Sequence, residues 1–328
     1  MATMLITGGH SGIGLEAVKR LIADRHMDVV LAGRSPDRMD DVADQLRQST
    51  GTKVNTLQLD TSSLASVREA AARFKLMLQG GEVDTLQAIL CNAGGRGFGP
   101  IVHGPEGYEA TFTGNYLGHF LLVQLLIDCL ADDGRIVFTA SGTHDPYTRD
   151  GKAVGPAVEP DARKLAAVGV DGSKPLSSGV RYATAKLCII LFAYELHRRL
   201  RRNGSNIASV AFDPGSVSGT AFLRGAPPPL RFIAQTTFAK SLMRRAGITV
   251  GSLDVSGASL AKLAAEPAYG YAGASGKYFQ VNGGWFGEKR SSNISYDAAR
   301  AAKLWDDSKQ LVGLTTKEEP SLLKHTGR

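Results

Sequence analysis

Two residues of complementary acid–base character stand one helical turn apart in the second half of the 328-residue chain. Tyr182 and Lys186 lie within Val180–Arg201, a stretch whose pattern predicts a long helix. Residues four apart share one face of a helix, so the ammonium can lie beside the phenol. A free tyrosine titrates at about 10, and a neighbouring cation favours the phenolate. We therefore expect Lys186 to lower the pKa of Tyr182, which would serve as a general acid or base.

Two polar residues earlier in the chain complete a candidate catalytic set. Ser141 directly follows the predicted strand Arg135–Ala140, where its hydroxyl could donate to a substrate oxygen as negative charge develops there. Asn115 stands inside a predicted long helix, Glu106–Leu130, although asparagine is a weak helix former, and it could hold a water in a proton relay. His119, in the same helix, is predicted to be structural.

A glycine-rich segment near residue 1 could hold phosphates. It follows the apolar run Met4–Ile6 and precedes a helix-like stretch, so the pattern predicts a strand, a tight turn and a helix. The free N–H groups and the dipole of a helix N-terminus favour an anion. The predicted cofactor contacts in this turn are Gly8, His10, Ser11, Gly12, Ile13 and Gly14.

The residue after the second predicted strand indicates which dinucleotide would bind. Arg34 stands where an acidic residue would hold the ribose hydroxyls of NAD, whereas an arginine can hold the 2′-phosphate of NADP. We therefore predict NADP(H), with a surface arginine that makes no cofactor contact as the alternative.

Two more turns are predicted to contact the cofactor. Asp60 and Thr61 follow the third strand, where the Asp60 carboxylate could accept from an adenine amino group or could instead cap the next helix. Asn92, Ala93 and Gly94 follow the fourth strand, and their small size permits close approach of the adenosine moiety.

Strand and helix patterns alternate along the first half of the chain, as in βαβ units. This predicts an α/β fold of the Rossmann type, a doubly wound parallel sheet of about seven strands in a single domain. Two long segments, about 142–179 and 216–248, are predicted as substrate-side insertions. The strands are predicted at Met4–Thr7, Val29–Ala32, Val54–Leu59, Leu86–Leu90, Arg135–Ala140, Ile207–Phe212 and Lys277–Val281.

Composition excludes several other classes of protein. The net charge is +7, and four of the arginines lie at the end of the predicted helix Val180–Arg201. Arginines at the end of a helix are typical of a solvated face and do not indicate nucleic-acid binding. Peripheral contact with a membrane remains an alternative. No secretory signal or membrane span is visible in the sequence. The three cysteines are scattered and form no CxxC pair, so we predict neither a zinc site nor any other metal site. They also predict no disulfide framework, which favours a cytoplasmic protein. The oligomeric state is left open.

Together these motifs resemble the short-chain dehydrogenase/reductase family over residues 2 to about 285. The resemblance implies that Asn115, Ser141, Tyr182 and Lys186 form the catalytic tetrad, with Tyr182 and Lys186 also contacting the cofactor. It further implies that Pro214, Gly215 and Val217 lie beside the nicotinamide. Residues 286–328 would form a helical tail packed on the domain.

The segment Asn115–Leu122 is similar to a helix shared by light-dependent protochlorophyllide reductases and retinol dehydrogenases, and Leu304–Leu314 is closer to the former. Ser216 departs from the cysteine that the protochlorophyllide enzymes carry. The resemblance implies an NADPH-dependent oxidoreductase acting on a carbonyl or alcohol carbon. The apolar stretch Ala226–Phe238 indicates a bulky hydrophobic small-molecule substrate. The alternatives are reduction of a conjugated C=C bond and a non-catalytic NADPH-binding regulatory protein.

Overall fold

One eight-stranded sheet organises the computed structural model, which describes residues 2–217, 236, 241 and 245–324. The strand order is β3-β2-β1-β4-β5-β6-β7-β8. Strands β1 to β7 run parallel, and β8 is antiparallel to β7. The strands are β1 (Thr3–Thr7), β2 (Asp28–Gly33), β3 (Val54–Gln58), β4 (Leu86–Cys91), β5 (Leu130–Thr139), β6 (Ala208–Asp213), β7 (Tyr278–Asn282) and β8 (Trp285–Glu288).

This order, which reverses direction between β1 and β4, is that of a doubly wound Rossmann-type sheet, and the predicted fold class is confirmed. About seven strands were predicted, and the sheet has eight. β8 pairs Trp285 with Asn282 across the two-residue turn Gly283-Gly284, and Gly283 has a φ of 66°. A two-residue turn with a positive φ produces a hairpin.

Helices cover both faces of the sheet. They are α1 (Gly12–Arg25), α2 (Pro36–Thr50), α3 (Leu64–Gln79), α4 (Ala110–Phe112), α5 (Gly118–Leu126), α6 (Arg149–Val154), α7 (Ala162–Ala166), α8 (Ser178–Arg202), α9 (Leu253–Ala265), α10 (Tyr271–Ala274) and α11 (Ala298–Leu311). No helix was predicted at α9. It packs closely on α1, because a Cβ on Gly257 would lie 2.5 Å from the Glu16 Cβ.

Alternating side chains of the buried strands supply two hydrophobic cores. On β1, Leu5 packs in the core beneath α3, α5 and α8, whereas Met4 and Ile6 pack in the core beneath α1, α2 and α9. All three are fully buried. An apolar run without polar alternation is typical of a strand covered on both faces. Because β1 to β7 run parallel, their carboxyl ends lie along one edge of the sheet.

The helix predicted at Glu106–Leu130 is shorter and irregular. It begins with α4, continues through a π-helical turn at Thr113–Leu117 and becomes α5. π turns are rare and are found frequently at functional sites. Asn115 lies inside this turn.

The first predicted insertion, 142–179, contains α6 and α7. The second, 216–248, lies mostly outside the described residues, and so does Ala226–Phe238 apart from residue 236. Toward the end of the chain, Trp305 of α11 is buried, with its ring 5.3 Å from Phe120 and 5.4 Å from Phe192. The boundary at residue 285 stays a prediction.

The arginines that close α8 surround a buried carboxylate. Arg198 and Arg199 bond the side chain of Glu195, which is 4% exposed, at 2.8 Å and 2.7 Å. These charges therefore have a local structural role. Within the described ranges, no helix is both long and apolar enough to cross a membrane.

Candidate active site

A cavity of about 730 Å³ opens where β1, β2, β4, β5 and β6 end. In doubly wound folds ligands bind outside the carboxyl ends of the strands. Of the predicted site residues, Gly14 is not among the cavity lining. Those that line it are Gly8, His10, Ser11, Gly12, Ile13, Arg34, Asp60, Thr61, Asn92, Ala93, Gly94, Asn115, Ser141, Tyr182, Lys186, Pro214, Gly215 and Val217.

The glycine-rich turn between β1 and α1 depends on its glycines. Gly8 and Gly12 have φ values of 70° and 58°, in the left-handed region that favours glycine. A Cβ on Gly14 would lie 2.5 Å from the carbonyl oxygen of Gly8 and 2.7 Å from Nδ2 of Asn92. Gly14 therefore lets the helix approach the turn, although it does not face the cavity.

Thr7, which the sequence analysis did not include in the site, joins β1 to the turn after β4. Its Oγ1 accepts from the backbone N–H of Asn92 at 2.9 Å and of Ala93 at 2.8 Å. The Asn92 side chain donates in return to the Thr7 carbonyl at 3.0 Å. Thr7 thereby brings the Asn92-Ala93-Gly94 turn beside the glycine-rich turn.

The end of β2 combines an exposed cation with a close ring contact. Arg34 is exposed and lines the cavity. The imidazole of His10 packs on Gly33, where a Cβ would lie 2.9 Å from the ring. A larger residue at position 33 would displace His10 from the cavity wall.

Asp60 forms a turn at the end of β3. Its Oδ1 accepts from the backbone N–H of Ser62 at 2.9 Å and from the Ser62 hydroxyl at 2.6 Å. The N-cap of α3 is Ser63, so the helix-cap interpretation of Asp60 was wrong. Thr61 packs on α5, since a Cβ on Gly118 would lie 2.0 Å from its carbonyl oxygen.

Tyr182 and Ser141 are brought together by a hydrogen bond between their side chains. Tyr182 is 7% exposed. Contrary to the sequence-based expectation, burial raises the pKa of Tyr182, and the two effects that oppose burial are the Ser141 hydrogen bond and the charge of Arg96. The phenol is therefore protonated at neutral pH and is poised to donate a proton.

The Lys186 ammonium faces the ring of Tyr182 but donates its hydrogen bond elsewhere. Its Nζ donates to the carbonyl oxygen of Thr139 at 2.7 Å and lies 5.6 Å from the centre of the Tyr182 ring. Burial lowers the pKa of Lys186 to about 8, while the negative charge of Asp213 acts in the opposite direction. The amine thus remains mostly protonated at neutral pH.

Asn115 fastens the loop after β4 to the π-helical turn. Its Oδ1 accepts from Gly95 N at 3.0 Å, and its Nδ2 donates to the Gly95 carbonyl at 2.9 Å and to the Thr111 carbonyl at 2.7 Å. A Cβ on Gly94 would lie 2.5 Å from Asn115 Oδ1, so Gly94 permits this clamp. Three backbone groups thus hold the side chain, and the water relay stays a prediction.

His119 joins Asn115 to Thr7. Its Nε2 lies 3.0 Å from Thr7 Oγ1, and its Nδ1 lies 3.4 Å from the Asn115 carbonyl oxygen. Burial lowers the pKa of His119 to about 4, so the ring is neutral. The structural role predicted for His119 agrees with these contacts.

His144 links Ser141 to the C-terminal part of the chain and was missed in the sequence. Its Nδ1 donates to the Ser141 carbonyl at 2.7 Å, and its Nε2 accepts from the backbone N–H of Ser292 at 3.0 Å. Both nitrogens are thus used by the neutral ring. Burial lowers the pKa of His144 to about 4.

We expect the free energy of unfolding to fall as pH drops from about 6.5 to about 4, partly through His144. The unfolded histidine gains a proton near its ordinary pKa of 6.5, while the folded one stays neutral down to about 4, so protonation favours unfolding in this window. The contribution of this residue is about 2–3 kcal/mol. Urea unfolding of wild type and His144→Gln across this window measures it.

The variant should be less stable than wild type at pH 7 and should lose less stability on acidification. His26→Asn, at an exposed position with a φ of 52° that asparagine tolerates, serves as the control with an unchanged slope. Equal slopes for wild type and His144→Gln would contradict the assignment.

The turn after β6 forms the remaining wall. Gly215 has a φ of 71°, and its N–H donates to Asp213 Oδ1 at 2.9 Å. Ser216 bridges to Val250 in a parallel pairing, and Val217 is 7% exposed. Among the described residues, no group of three or more potential metal ligands is present.

Known proteins share both the sequence pattern and the fold. A family model described as short chain dehydrogenase matches residues 2–149. Polyprenol dehydrogenase of Danio rerio is 32% identical over 94% of this chain and 86% of its own length. Protochlorophyllide reductase of Chlamydomonas reinhardtii is 30% identical over 95% of this chain and 78% of its own length. The structure of L-sorbose reductase from Gluconobacter frateurii, complexed with NADPH and L-sorbose, superposes with a TM-score of 0.62 and 19% identity, covering 86% of this chain and 95% of its own.

Proposed function

This chain belongs to the short-chain dehydrogenase family, and from that premise we propose that it is an NADPH-dependent oxidoreductase that moves hydride between the nicotinamide and a carbonyl or alcohol carbon. The observation that carries the proposal is the cavity in which the hydrogen-bonded pair Tyr182 and Ser141 faces the same space as buried Lys186 and the glycine-rich turn. Such a set can hold a carbonyl oxygen and give it a proton.

The residues present fit a dinucleotide. Gly8 and Gly12 line the cavity without side chains, so a phosphate-bearing ligand can approach the backbone of this turn closely. The backbone N–H groups at the start of α1 would hold the pyrophosphate, and exposed Arg34 would hold a 2′-phosphate. When bound, NADPH supplies the hydride. The NADPH named in the L-sorbose reductase structure supports this choice of cofactor.

Replacing Arg34 by glutamine should weaken NADPH binding by about tenfold to a hundredfold, because a charge-assisted bond to the 2′-phosphate is lost. NADH lacks that phosphate, so its affinity should change less than threefold. Titration of both reduced cofactors by fluorescence measures the two dissociation constants. Arg73→Gln, which removes an exposed arginine paired with Glu82 outside the cavity, should change neither. Equal losses for NADPH and NADH would contradict the role of Arg34.

In the reducing direction the residues act as follows. Ser141 orients the substrate oxygen, and the Tyr182 hydroxyl, kept protonated by burial, donates its proton to that oxygen. The cation of Lys186 stabilises the phenolate that develops on Tyr182. Thr139 fixes the lysine, and Asn115 fixes the loop that closes the adjacent wall.

We expect the kcat of reduction to fall as pH rises above about 8, because Lys186 then loses the proton that makes it a cation. Lys186→Met should turn over slowly at every pH, and its kcat should not fall further above about pH 8. Steady-state kinetics at saturating NADPH from pH 6 to 9.5 provide the measurement. If Lys186→Met keeps the turnover and cofactor affinity of the wild type, the role of Lys186 is wrong.

The substrate we propose is a bulky hydrophobic small molecule such as a polycyclic, isoprenoid or aromatic ketone. The volume of the cavity and the polyprenol named for the zebrafish relative support this class. The test is NADPH oxidation, followed at 340 nm, with a panel of such ketones. No oxidation with any ketone, together with tight NADPH binding, would favour the regulatory protein that the sequence left open.

Reduction of a conjugated C=C bond is the second candidate, since protochlorophyllide reductase is a relative over most of its length. Ser216 stands where those enzymes carry a cysteine, which weighs against pigment chemistry. Incubation with protochlorophyllide in light and in darkness, followed by absorbance, distinguishes the two. Turnover in light would establish the C=C reaction.

A further inference from the structure

Arg96 is a cavity cation without a carboxylate partner among the described residues. It lies in the loop after β4 and lines the cavity. Arg181, its arginine neighbour, is paired with Glu109 at 3.0 Å. Three other acids of the cavity wall are engaged by neutral donors: Asp60 by Ser62, Asp150 by Thr249, and Asp213 by Tyr278 and Gln280.

The guanidinium of Arg96 is held in place by neutral groups. Its Nε donates to Ser178 Oγ at 3.1 Å, and its central carbon lies 4.8 Å from the centre of the Phe98 ring. A Cβ on Gly179 would lie 1.7 Å from the Val154 carbonyl oxygen and 3.2 Å from Arg96 Nη2, so the guanidinium packs beside bare backbone there. These contacts leave terminal N–H groups for a ligand.

This position is one helical turn from the proton donor. Ser178 and Tyr182 are four residues apart on α8 and share a face of the helix. The positive charge of Arg96 opposes the effect of burial on the pKa of Tyr182. The side-chain contacts of Arg96 lie on α8 and on its own loop, away from the glycine-rich turn proposed for the cofactor phosphates.

The surroundings of Arg96 disfavour its positive charge. Burial and the neighbouring charge of Arg181 both lower the pKa of Arg96. The sequence between Asp213 and Asp254 contains no acidic residue, so the segment outside the described residues cannot provide a carboxylate side chain. That segment carries Arg224, Arg231, Lys240 and Arg244 instead. A half-buried guanidinium beside a like charge gains most from an anion that enters with a ligand.

We propose that the substrate carries a carboxylate or another anionic group, and that Arg96 binds it while the reacting carbon faces Tyr182. This inference rests on the proposed oxidoreductase function and deepens it, since it specifies a hydrophobic ketone with an acidic substituent. Arg96 is a specificity-determining residue in this scheme and takes no part in the hydride or proton transfer.

The binding test uses aryl keto acids of increasing chain length and their methyl esters. The host is the Tyr182→Phe variant saturated with NADPH, in which slow chemistry leaves binding to be measured by calorimetry. We expect at least one acid to bind about tenfold to a hundredfold more tightly than its ester, and Arg96→Leu in the same host to abolish that preference. Arg96→Lys should retain part of the preference for the acid, because the positive charge remains although the planar guanidinium is lost.

Arg149→Leu, which removes an exposed arginine outside the cavity lining, is the matched control and should keep the full preference. Equal affinity for acids and esters at every chain length would overturn the inference. So would a loss of NADPH affinity of tenfold or more in Arg96→Leu, because that result would assign the arginine to the cofactor. Failure of the proposed function would appear separately, as wild type that oxidises no NADPH with either acids or esters.

Discussion

Tyr182→Phe is expected to lower kcat for ketone reduction by about 10²–10⁴-fold while the dissociation constant of NADPH changes less than threefold. The reason is that the phenol hydroxyl is the proton donor in the cavity, and general acid catalysis contributes rate factors of about this size. Burial keeps that hydroxyl protonated, and Ser141 bonds it in place. Pre-steady-state single-turnover kinetics with saturating NADPH separate the chemical step from product release.

The matched control is Tyr194→Phe on the same helix. Tyr194 is buried and bonds Ser291 Oγ at 2.8 Å, outside the cavity lining. Its loss should cost about 0.5–1.5 kcal/mol in the free energy of unfolding and leave kcat within twofold. Single-turnover rates of Tyr182→Phe within fivefold of wild type would show that another group donates the proton.

The sequence was sufficient to predict the features that depend on local pattern. Buried strands such as β1 are continuous apolar runs, and the turn that follows β1 needs glycine at positions 8 and 12 for backbone conformations that other residues adopt poorly. The spacing of Tyr182 and Lys186 places them on one helix face regardless of the rest of the chain. The predicted doubly wound parallel sheet also implied that the cavity would open at the carboxyl ends of the strands.

The features that could not be predicted depend on contacts between distant parts of the chain. His144 bonds Ser292, which is 148 residues later, and nothing in the local sequence of either residue indicates this. The predicted direction of the Tyr182 pKa shift was wrong. The burial of the phenol and the hydrogen bond from Lys186 to the Thr139 carbonyl are properties of tertiary packing, which the local sequence does not show. That Arg96 has no carboxylate partner in the described part of the chain likewise emerges only when the acids around the cavity can be assigned to their donors.

Glu109→Gln is expected to lower the free energy of unfolding by about 3–5 kcal/mol, because it leaves the buried charge of Arg181 without its counterion. Glu109 and Arg181 are 1% and 4% exposed, and the Arg181 Nε lies 3.0 Å from Glu109 Oε1. Glu109 Oε2 also accepts from the backbone N–H of Phe112 at 2.7 Å, at the start of α4. Urea unfolding at pH 7.5, monitored by circular dichroism, measures the loss.

The exposed pair Arg73 and Glu82 provides the matched comparison, since Glu82→Gln removes the same charge where water can replace it. Its N–O distance is 2.7 Å, but the two side chains are 55% and 47% exposed, so the expected cost is below about 1 kcal/mol. The double variant Glu109→Leu with Arg181→Met should recover most of the stability lost in Glu109→Gln, because no buried charge remains uncompensated. A cost for Glu109→Gln equal to that for Glu82→Gln would mean that water reaches Arg181, and the wall of the cavity beside Tyr182 would then be open to solvent.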